Sequence, residues 1–247
     1  MKEVNKVKFY SVSEISEMLQ NEYSLEAVKN FFEEGRIKGE KVDREWYANI
    51  KAFHDLEQIL LREKIFFTSP HYIDLTDLVL KGRILDIGGG GEGVIGQLKQ
   101  EKVVAIDPNE NELKGAPGNF LKIIMDAREL KFIDNTFDTT TSFFTLMYIP
   151  LTEHRKVFEE VYRVLKREGE FVIWDLIIPK KGINKQRFFG IEIKVKIPEK
   201  DISTGYAAPW NKVQNLDYFK GLSRDVGFKI IESYENSVYF FLKLQKA

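Results

Sequence analysis

Arg83-Ile84-Leu85-Asp86-Ile87-Gly88-Gly89-Gly90-Gly91-Glu92-Gly93-Val94-Ile95-Gly96 decides the reading of this 247-residue chain. Apolar residues lead to an acid, five glycines follow within six positions, and Val94, Ile95 and Leu98 then take helical spacing. The pattern predicts a strand, a tight loop and a helix. Glycine in such a loop permits positive φ and lets a ligand approach bare backbone. The helix behind it offers unpaired N–H groups at its N-terminus.

Gly88, Gly90 and Gly93 satisfy G-x-G-x-x-G, the dinucleotide fingerprint, so a nicotinamide-dependent oxidoreductase is one reading. Asp86 points elsewhere. A carboxylate two residues before the first glycine would face the pyrophosphate of a dinucleotide, whereas it suits a cofactor with a cationic amino group and no phosphate. S-adenosylmethionine is such a cofactor. At these residues the chain resembles the class I S-adenosylmethionine-dependent methyltransferases, whose first motif is acid-x-Gly-x-Gly-x-Gly. Asp86, Gly88 and Gly90 match it, and Glu92 stands where the third glycine belongs.

Downstream, the apolar run Lys102–Ile106 ends in Asp107, twenty-one residues beyond Asp86. That is the length of one helix and a return strand, and a carboxylate there can accept both ribose hydroxyls. Ile123-Ile124-Met125 leads to Asp126 and Ala127. The resemblance implies that Asp126 receives the adenine amino group and Ala127 packs its ring. The stretch 135–148 is similar to the family's fourth-strand motif; this implies that Phe143 touches the methionine part of the cofactor and Tyr148 lies near the transferred methyl. Val157, Phe158, Val161, Tyr162 and Leu165 form a helical stripe expected to end at Gly169, before a strand over 170–175. Arg163–Glu170 resembles the family's "RVLKPGG" turn. Asp86, Asp107, Asp126, Phe143 and Asp175 all fall at C-terminal strand ends, where open parallel sheets bind ligands.

Residues 179–213 interrupt the alternation. Gly190–Pro198 alternates apolar and charged, as a half-exposed strand does, and 204–210 is aromatic and turn-rich. These enzymes often build a substrate wall here, from which Tyr206 and Trp210 are candidate substrate contacts beside Tyr148 and Asp175; packing of the insertion onto the domain is the equal alternative. A last helix over 216–226 and two strands, 229–234 and 238–244, close the fold. No residue is singled out as catalytic. Tyr148, His154, Asp175 and Tyr206 are the conceivable bases, needed only if the acceptor must lose a proton.

The resemblance thus implies an α/β protein. A Rossmann-like, doubly wound seven-stranded sheet with a reversed last strand covers 72–247, with the insertion 179–213 as a substrate cap. Ahead of it, a linker helix is expected over 56–71, Asp74–Leu80 being another short helical stretch. Residues 1–55 carry Ser11 with Glu14 as a capping box, two short helices and a hairpin around Asp43-Arg44. At Ser11–Ile15 and Glu33–Ile37 this stretch resembles the α-rich winged helix-turn-helix domains of excisionases and mercury-resistance-type regulators. The resemblance implies DNA binding, and makes a DNA-binding regulator that senses S-adenosylmethionine the alternative function. Charge opposes it: residues 1–53 hold nine Lys/Arg against ten Asp/Glu, and phosphate neutralisation supplies most affinity for DNA. A lid or homodimer contact is the other use of that scaffold.

The net charge of −1 sets up no field for nucleic acid or acidic lipid. No run approaches the roughly 20 apolar residues of a membrane span, and the charged start Lys2–Lys6 lacks the apolar core of a signal peptide, so a cytoplasmic setting is expected. Absence of cysteine removes thiolate metal sites and a cysteine nucleophile, and no metal is expected. A small-molecule methyl acceptor is therefore the expected partner.

Overall fold

The computed structural model describes residues 2–4 and 7–247, which form two compact units, 1–65 and 66–247. In the first, β1 (Lys2–Val4) and β2 (Val7–Ser11) pair antiparallel, and α1 (Val12–Met18) follows directly. The Ser11 hydroxyl accepts the Glu14 N–H, while Glu14 Oε2 accepts the Ser11 N–H at 2.9 Å, the reciprocal box expected from sequence. α2 (Leu25–Glu33) starts on the Ser24 hydroxyl, which accepts from Ala27. β3 (Glu40–Val42) and β4 (Glu45–Asn49) meet over Asp43 and Arg44, whose φ of 50° and 71° twist the turn to suit a hairpin. α3 (Ile50–Lys64) completes the unit, with Ile15, Val28, Phe31, Phe32, Phe53 and Leu56 in its core. The strand order is β1-β2-β4-β3, and the first two strands are absent from the sequence reading. The exposed side of α2 carries Glu26 and Glu33 against Lys29.

The linker helix expected over 56–71 extends only to Lys64. Ile65-Phe66-Phe67 forms β5 and His71–Asp74 forms β6. Both join β12 (Phe188–Ile197), which pairs antiparallel with β13 (Lys200–Pro209). The insertion is therefore one wall of a four-stranded sheet, and the stretch expected to be turn-rich at 204–210 is largely strand. The expected helical turns over 74–80 are also absent; Asp74 Oδ1 instead accepts the Thr76 N–H at 2.9 Å. Alternation along β12 sends Ile191, Ile193, Val195 and Ile197 inward and Glu192, Lys194 and Lys196 outward.

The main sheet contains β7 (Ile84–Ile87), β8 (Val103–Asp107), β9 (Leu121–Ile124), β10 (Phe137–Phe143), β11 (Leu165–Leu176), β14 (Phe228–Glu235) and β15 (Tyr239–Lys246). Their order is β14-β15-β11-β10-β7-β8-β9. The five strands from β11 to β9 are parallel, and β15 runs antiparallel to both β11 and β14, as the reversed last strand requires. Short helices α4 (Val94–Lys99) and α5 (Glu110–Gly115) connect the first strands; α6 (Leu151–Val164) and α7 (Leu216–Val226) lie later. Successive strand residues serve opposite faces. Ile84, Val172 and Trp174 pack with the β12–β13 side, while Leu85, Phe171 and Ile173 pack with Phe158 of α6 and Phe219 of α7. α6 ends at Val164, five residues before Gly169, because β11 starts at Leu165 and Glu168 turns left-handed at φ 62°.

Strand order reverses at β7, between β8 and β10. That switch point opens a crevice beyond the C-terminal strand ends.

Candidate active site

β7 is buried along its whole length and brings Asp86 to the crevice at 2 % exposure. Thr141 is its register neighbour on β10 and donates its hydroxyl to Asp86 Oδ1 at 2.7 Å. Burial pushes the Asp86 carboxyl up to about 7, the Thr141 hydrogen bond opposes this, and the Asp107 charge adds to it.

The N–H groups of the loop after β7 are bonded largely to carbonyls of β8 and α5. The Gly88 and Gly89 N–H groups both reach Ile106 O, Gly91 N–H reaches Glu112 O, and Gly93 N–H reaches Gly90 O. Gly90 N–H serves the Asp107 carboxylate. These donors are turned away from any phosphate. α4 starts directly behind the loop at Val94, as expected, and is six residues long. Gly88 has φ 71°, and a Cβ there would stand 2.2 Å from Thr145 Oγ1, so no larger residue fits.

Asp107 ends β8 half-buried and accepts the Asn109 N–H at 2.8 Å; desolvation raises its carboxyl. Asp126 follows β9 and is gripped by Arg128 through Nε at 3.0 Å and Nη2 at 2.6 Å, which holds its carboxyl below the usual range. Ala127 beside it is 7 % exposed. Phe143 ends β10, packed against Trp174. Phe144 follows in the left-handed region at φ 53°, its N–H on Trp174 O at 2.8 Å. That conformation is costly for an aromatic residue, and its ring stacks on Tyr206 of β13 at 5.1 Å with planes 1° apart.

Asp86, Gly88, Gly90, Asp107, Asp126, Ala127, Phe143, Tyr148 and Tyr206 all line one cavity of about 630 Å³. Asp175 and Trp210, expected as substrate contacts, do not. Asp175 is fully buried behind the wall, where its carboxylate accepts from Met147 N–H at 3.3 Å, Leu176 N–H at 2.7 Å and Gln214 Nε2 at 2.9 Å. Trp210 donates to Pro179 O at 2.8 Å and packs on Phe66 and Phe189, so it takes the packing role. His154 is likewise no base: it is fully buried, one ring nitrogen meets Leu146 O at 2.9 Å, the other meets Tyr218 Oη at 3.1 Å, and burial lowers its pKa to about 4. These buried groups, with Lys212 Nζ on Ile149 O at 2.8 Å, pin the turn 146–149 that carries Tyr148.

The lining residues that escaped the sequence reading of the site include Glu112, Arg128 and Phe144. Glu92 also lines it, so the departure from the glycine motif puts a carboxylate in the cavity. The lining acids are Asp86, Glu92, Asp107, Glu112 and Asp126; among the described residues the sole cation lining the cavity is Arg128, already engaged by Asp126. The cavity is strongly anionic.

Residues 85–173 match the family model of the methyltransferase domain. This span runs from β7 into β11 and contains Asp86, Asp107, Asp126 and Phe143 but not Asp175. The sterol 4-C-methyltransferase strm-1 of Caenorhabditis elegans is 31 % identical over 131 residues, covering 50 % of this chain and 35 % of that protein. The ubiquinone/menaquinone biosynthesis C-methyltransferase UbiE of Rickettsia typhi is 30 % identical over 133 residues, covering 46 % of this chain and 53 % of that protein. The chain thus spans about half or less of the length of these curated relatives. A solved structure of a SAM-dependent methyltransferase from Methanosarcina mazei shares the methyltransferase fold with a TM-score of 0.51 at 21 % identity, covering 68 % of this chain and 94 % of that one. Tyr206 and the rest of β12–β13 lie outside the methyltransferase-domain match.

Proposed function

We propose that the protein is an S-adenosylmethionine-dependent methyltransferase acting on a small-molecule acceptor. One observation carries this: a glycine loop whose five glycine N–H groups are already paired opens into a cavity lined by carboxylates with no free cation among the described residues. Such a site repels a pyrophosphate and suits a cofactor with a cationic amino group. The methyltransferase-domain match over 85–173 and the named methyltransferase relatives support the same reading.

The residues present fit that cofactor. Gly88 and Gly90 leave a cradle that side chains would fill, since a Cβ on Gly90 would meet Asp107 Oδ2 at 3.1 Å. Asp107 would take the ribose hydroxyls, Asp86 would face the amino group, Ala127 and Asp126 would border the adenine, and Phe143 would flank the methionine chain. When bound, the cofactor would supply a sulfonium-activated methyl group, whose carbon bonds the acceptor's electron pair as the C–S pair leaves with the thioether sulfur. The chain orients the two partners and excludes water, which can supply much of the rate without any oxyanion to stabilise. Tyr206 and Tyr148 close the acceptor side.

The N-terminal unit belongs to the same reading as a helix-turn-helix-like scaffold rather than a DNA reader; its α2 offers acids where phosphates would need cations. Titration calorimetry with S-adenosylhomocysteine tests the whole proposal. Micromolar binding is expected, and NADH should give no fluorescence enhancement; NADH binding without S-adenosylhomocysteine binding would overturn it.

A further inference from the structure

The chain-wide charge of −1 averages over a local imbalance. Between Asp175 and Glu192 lie sixteen residues with four cations, Lys180, Lys181, Lys185 and Arg187, and no acid. Asp175 is fully buried, so it does not answer them at the surface. All four cations are exposed, and none joins an ion pair among the described residues. Ile183, in their midst, is wholly exposed at 102 %.

The segment 179–187 has no helix or strand of its own, yet both its ends are fixed to one residue. Trp210 donates its indole N–H to Pro179 O at 2.8 Å and its backbone N–H to Arg187 O at 2.9 Å. Apolar residues surround this neck. Phe66, 38 % exposed, packs on Trp210 at 5.6 Å, and Val213, 51 % exposed, precedes the Gln214 that bridges to Ile178. Lys212, two residues after Trp210, donates to Ile149 O at 2.8 Å, and Ile149 lines the cavity. The neck of the basic loop is thereby tied to the cavity wall.

Unpaired cations favour a surface dense in negative charge, and a bare isoleucine gains where it leaves water. An anionic phospholipid bilayer offers both, phosphates at the headgroup level and acyl chains beneath. Lys and Arg stems can lie along apolar surface while their charged heads stay wet. A nucleic acid would answer the charge and leave Ile183 in water.

We infer that the loop 180–187 docks on an anionic phospholipid bilayer, with Lys180, Lys181, Lys185 and Arg187 on the headgroups and Ile183 entering the headgroup boundary. The contact is peripheral; among the described residues no helix is long and apolar enough to cross a membrane. It stands apart from the methyl-transfer reading, although the Lys212 tie sets the docked surface beside the wall of the same cavity.

The test uses the full chain and sedimentation with vesicles of phosphatidylcholine alone or with about 30 % phosphatidylserine. Each basic residue near an anionic leaflet contributes roughly five-fold in partition. The anionic vesicles should therefore bind at least about ten-fold more tightly, and about 0.5 M salt should remove the difference. Lys180→Gln, Lys181→Gln, Lys185→Gln and Arg187→Gln combined should bring binding down to the phosphatidylcholine level. Ile183→Ser should lose several-fold on the anionic vesicles. Both variants keep the Trp210 bonds, which use the carbonyls of Pro179 and Arg187, and thermal unfolding checks that they fold. No binding, equal binding to the two compositions, or binding unchanged by the four substitutions overturns the inference. Binding unchanged by Ile183→Ser also overturns it, because charge alone would then account for the adsorption. Tighter binding to random duplex DNA than to anionic vesicles overturns it in favour of nucleic acid. Titration with S-adenosylhomocysteine reports separately on the methyl-transfer reading.

Discussion

Asp107→Ala is the sharpest test of the cofactor side. Asp107 stands at the tip of β8, half-buried, with its carboxylate fixed by the N–H groups of Asn109 and Gly90. That fixation leaves its remaining lone pairs aimed at the cavity, where two ribose hydroxyls would donate. A hydrogen bond to a charged acceptor contributes roughly 1.5–3 kcal/mol. Half-burial places each bond at the low end, so two contribute about 3 kcal/mol, close to a hundred-fold in affinity at about 1.4 kcal/mol per tenfold. Calorimetric titration with S-adenosylhomocysteine should show a loss of between about ten-fold and a hundred-fold. Asp107→Asn keeps one acceptor oxygen and should fall between the wild type and Asp107→Ala. The loop also loses the Gly90 contact, so ligand-free thermal unfolding must accompany the titration. A folded Asp107→Ala protein that binds with unchanged affinity would refute the assignment.

Asp86→Asn keeps an oxygen for the Thr141 hydroxyl and removes a buried charge. The Asp86 pKa is raised from 3.8 to about 7 by burial, so its ionisation weakens the fold progressively across that window and fully above it. The variant should therefore be more stable than the wild type at pH 8, by on the order of a few kcal/mol, with the gain vanishing near pH 4, while cofactor binding weakens; a gain that grows on acidification would contradict this. His154 has the opposite sign. Its pKa falls from 6.5 to about 4, so the unfolded chain takes up the proton first, and wild-type stability should drop by up to about 3 kcal/mol between pH 7 and pH 4 relative to His154→Gln, as read by urea unfolding. At Phe144, glycine relieves the left-handed backbone that alanine does not, so Phe144→Gly should be about 1 kcal/mol more stable than Phe144→Ala; the reverse order in urea would show that φ 53° is unstrained.

The strand ends that line the cavity were legible because buried parallel strands read as uninterrupted apolar runs. Leu85 and Val104–Ile106 announce the buried β7 and β8, and Ile123 the partly exposed edge strand β9; each run is followed by an acid. What escaped depended on pairing rather than on local pattern. Ile65-Phe66-Phe67 continues the apolar content of α3, and only bonding to β12 makes it extended. Lys200–Pro209 is polar and glycine-containing, yet β12 holds it as a strand. Leu165–Glu168 has good helix formers and still leaves α6, drawn into register with β10. Asp175 sits at a strand end as the sequence suggests, but a strand end does not say which way a side chain faces; Met147 and Gln214 lie on that side, and the cavity lies on the other. Phe144 gave no signal because left-handed aromatic residues have no sequence signature.

The hairpin of β12 and β13 turns in two residues, Pro198-Glu199, and its pairing runs from Ile197 with Lys200 out to Phe188 with Pro209. Along β13 the even-numbered residues Ile202, Tyr206 and Ala208 face inward, while Asp201, Ser203 and Gly205 are exposed. Because a strand repeats every two residues, slipping this pairing by one would present Gly205 and Ala207 where Tyr206 now stands. If Tyr206 contacts the acceptor as proposed, acceptor choice depends on the register of the β12–β13 pairing as much as on the identity of residue 206. Such a slip would change the wall of the cavity and leave its β7, β8 and β10 floor untouched.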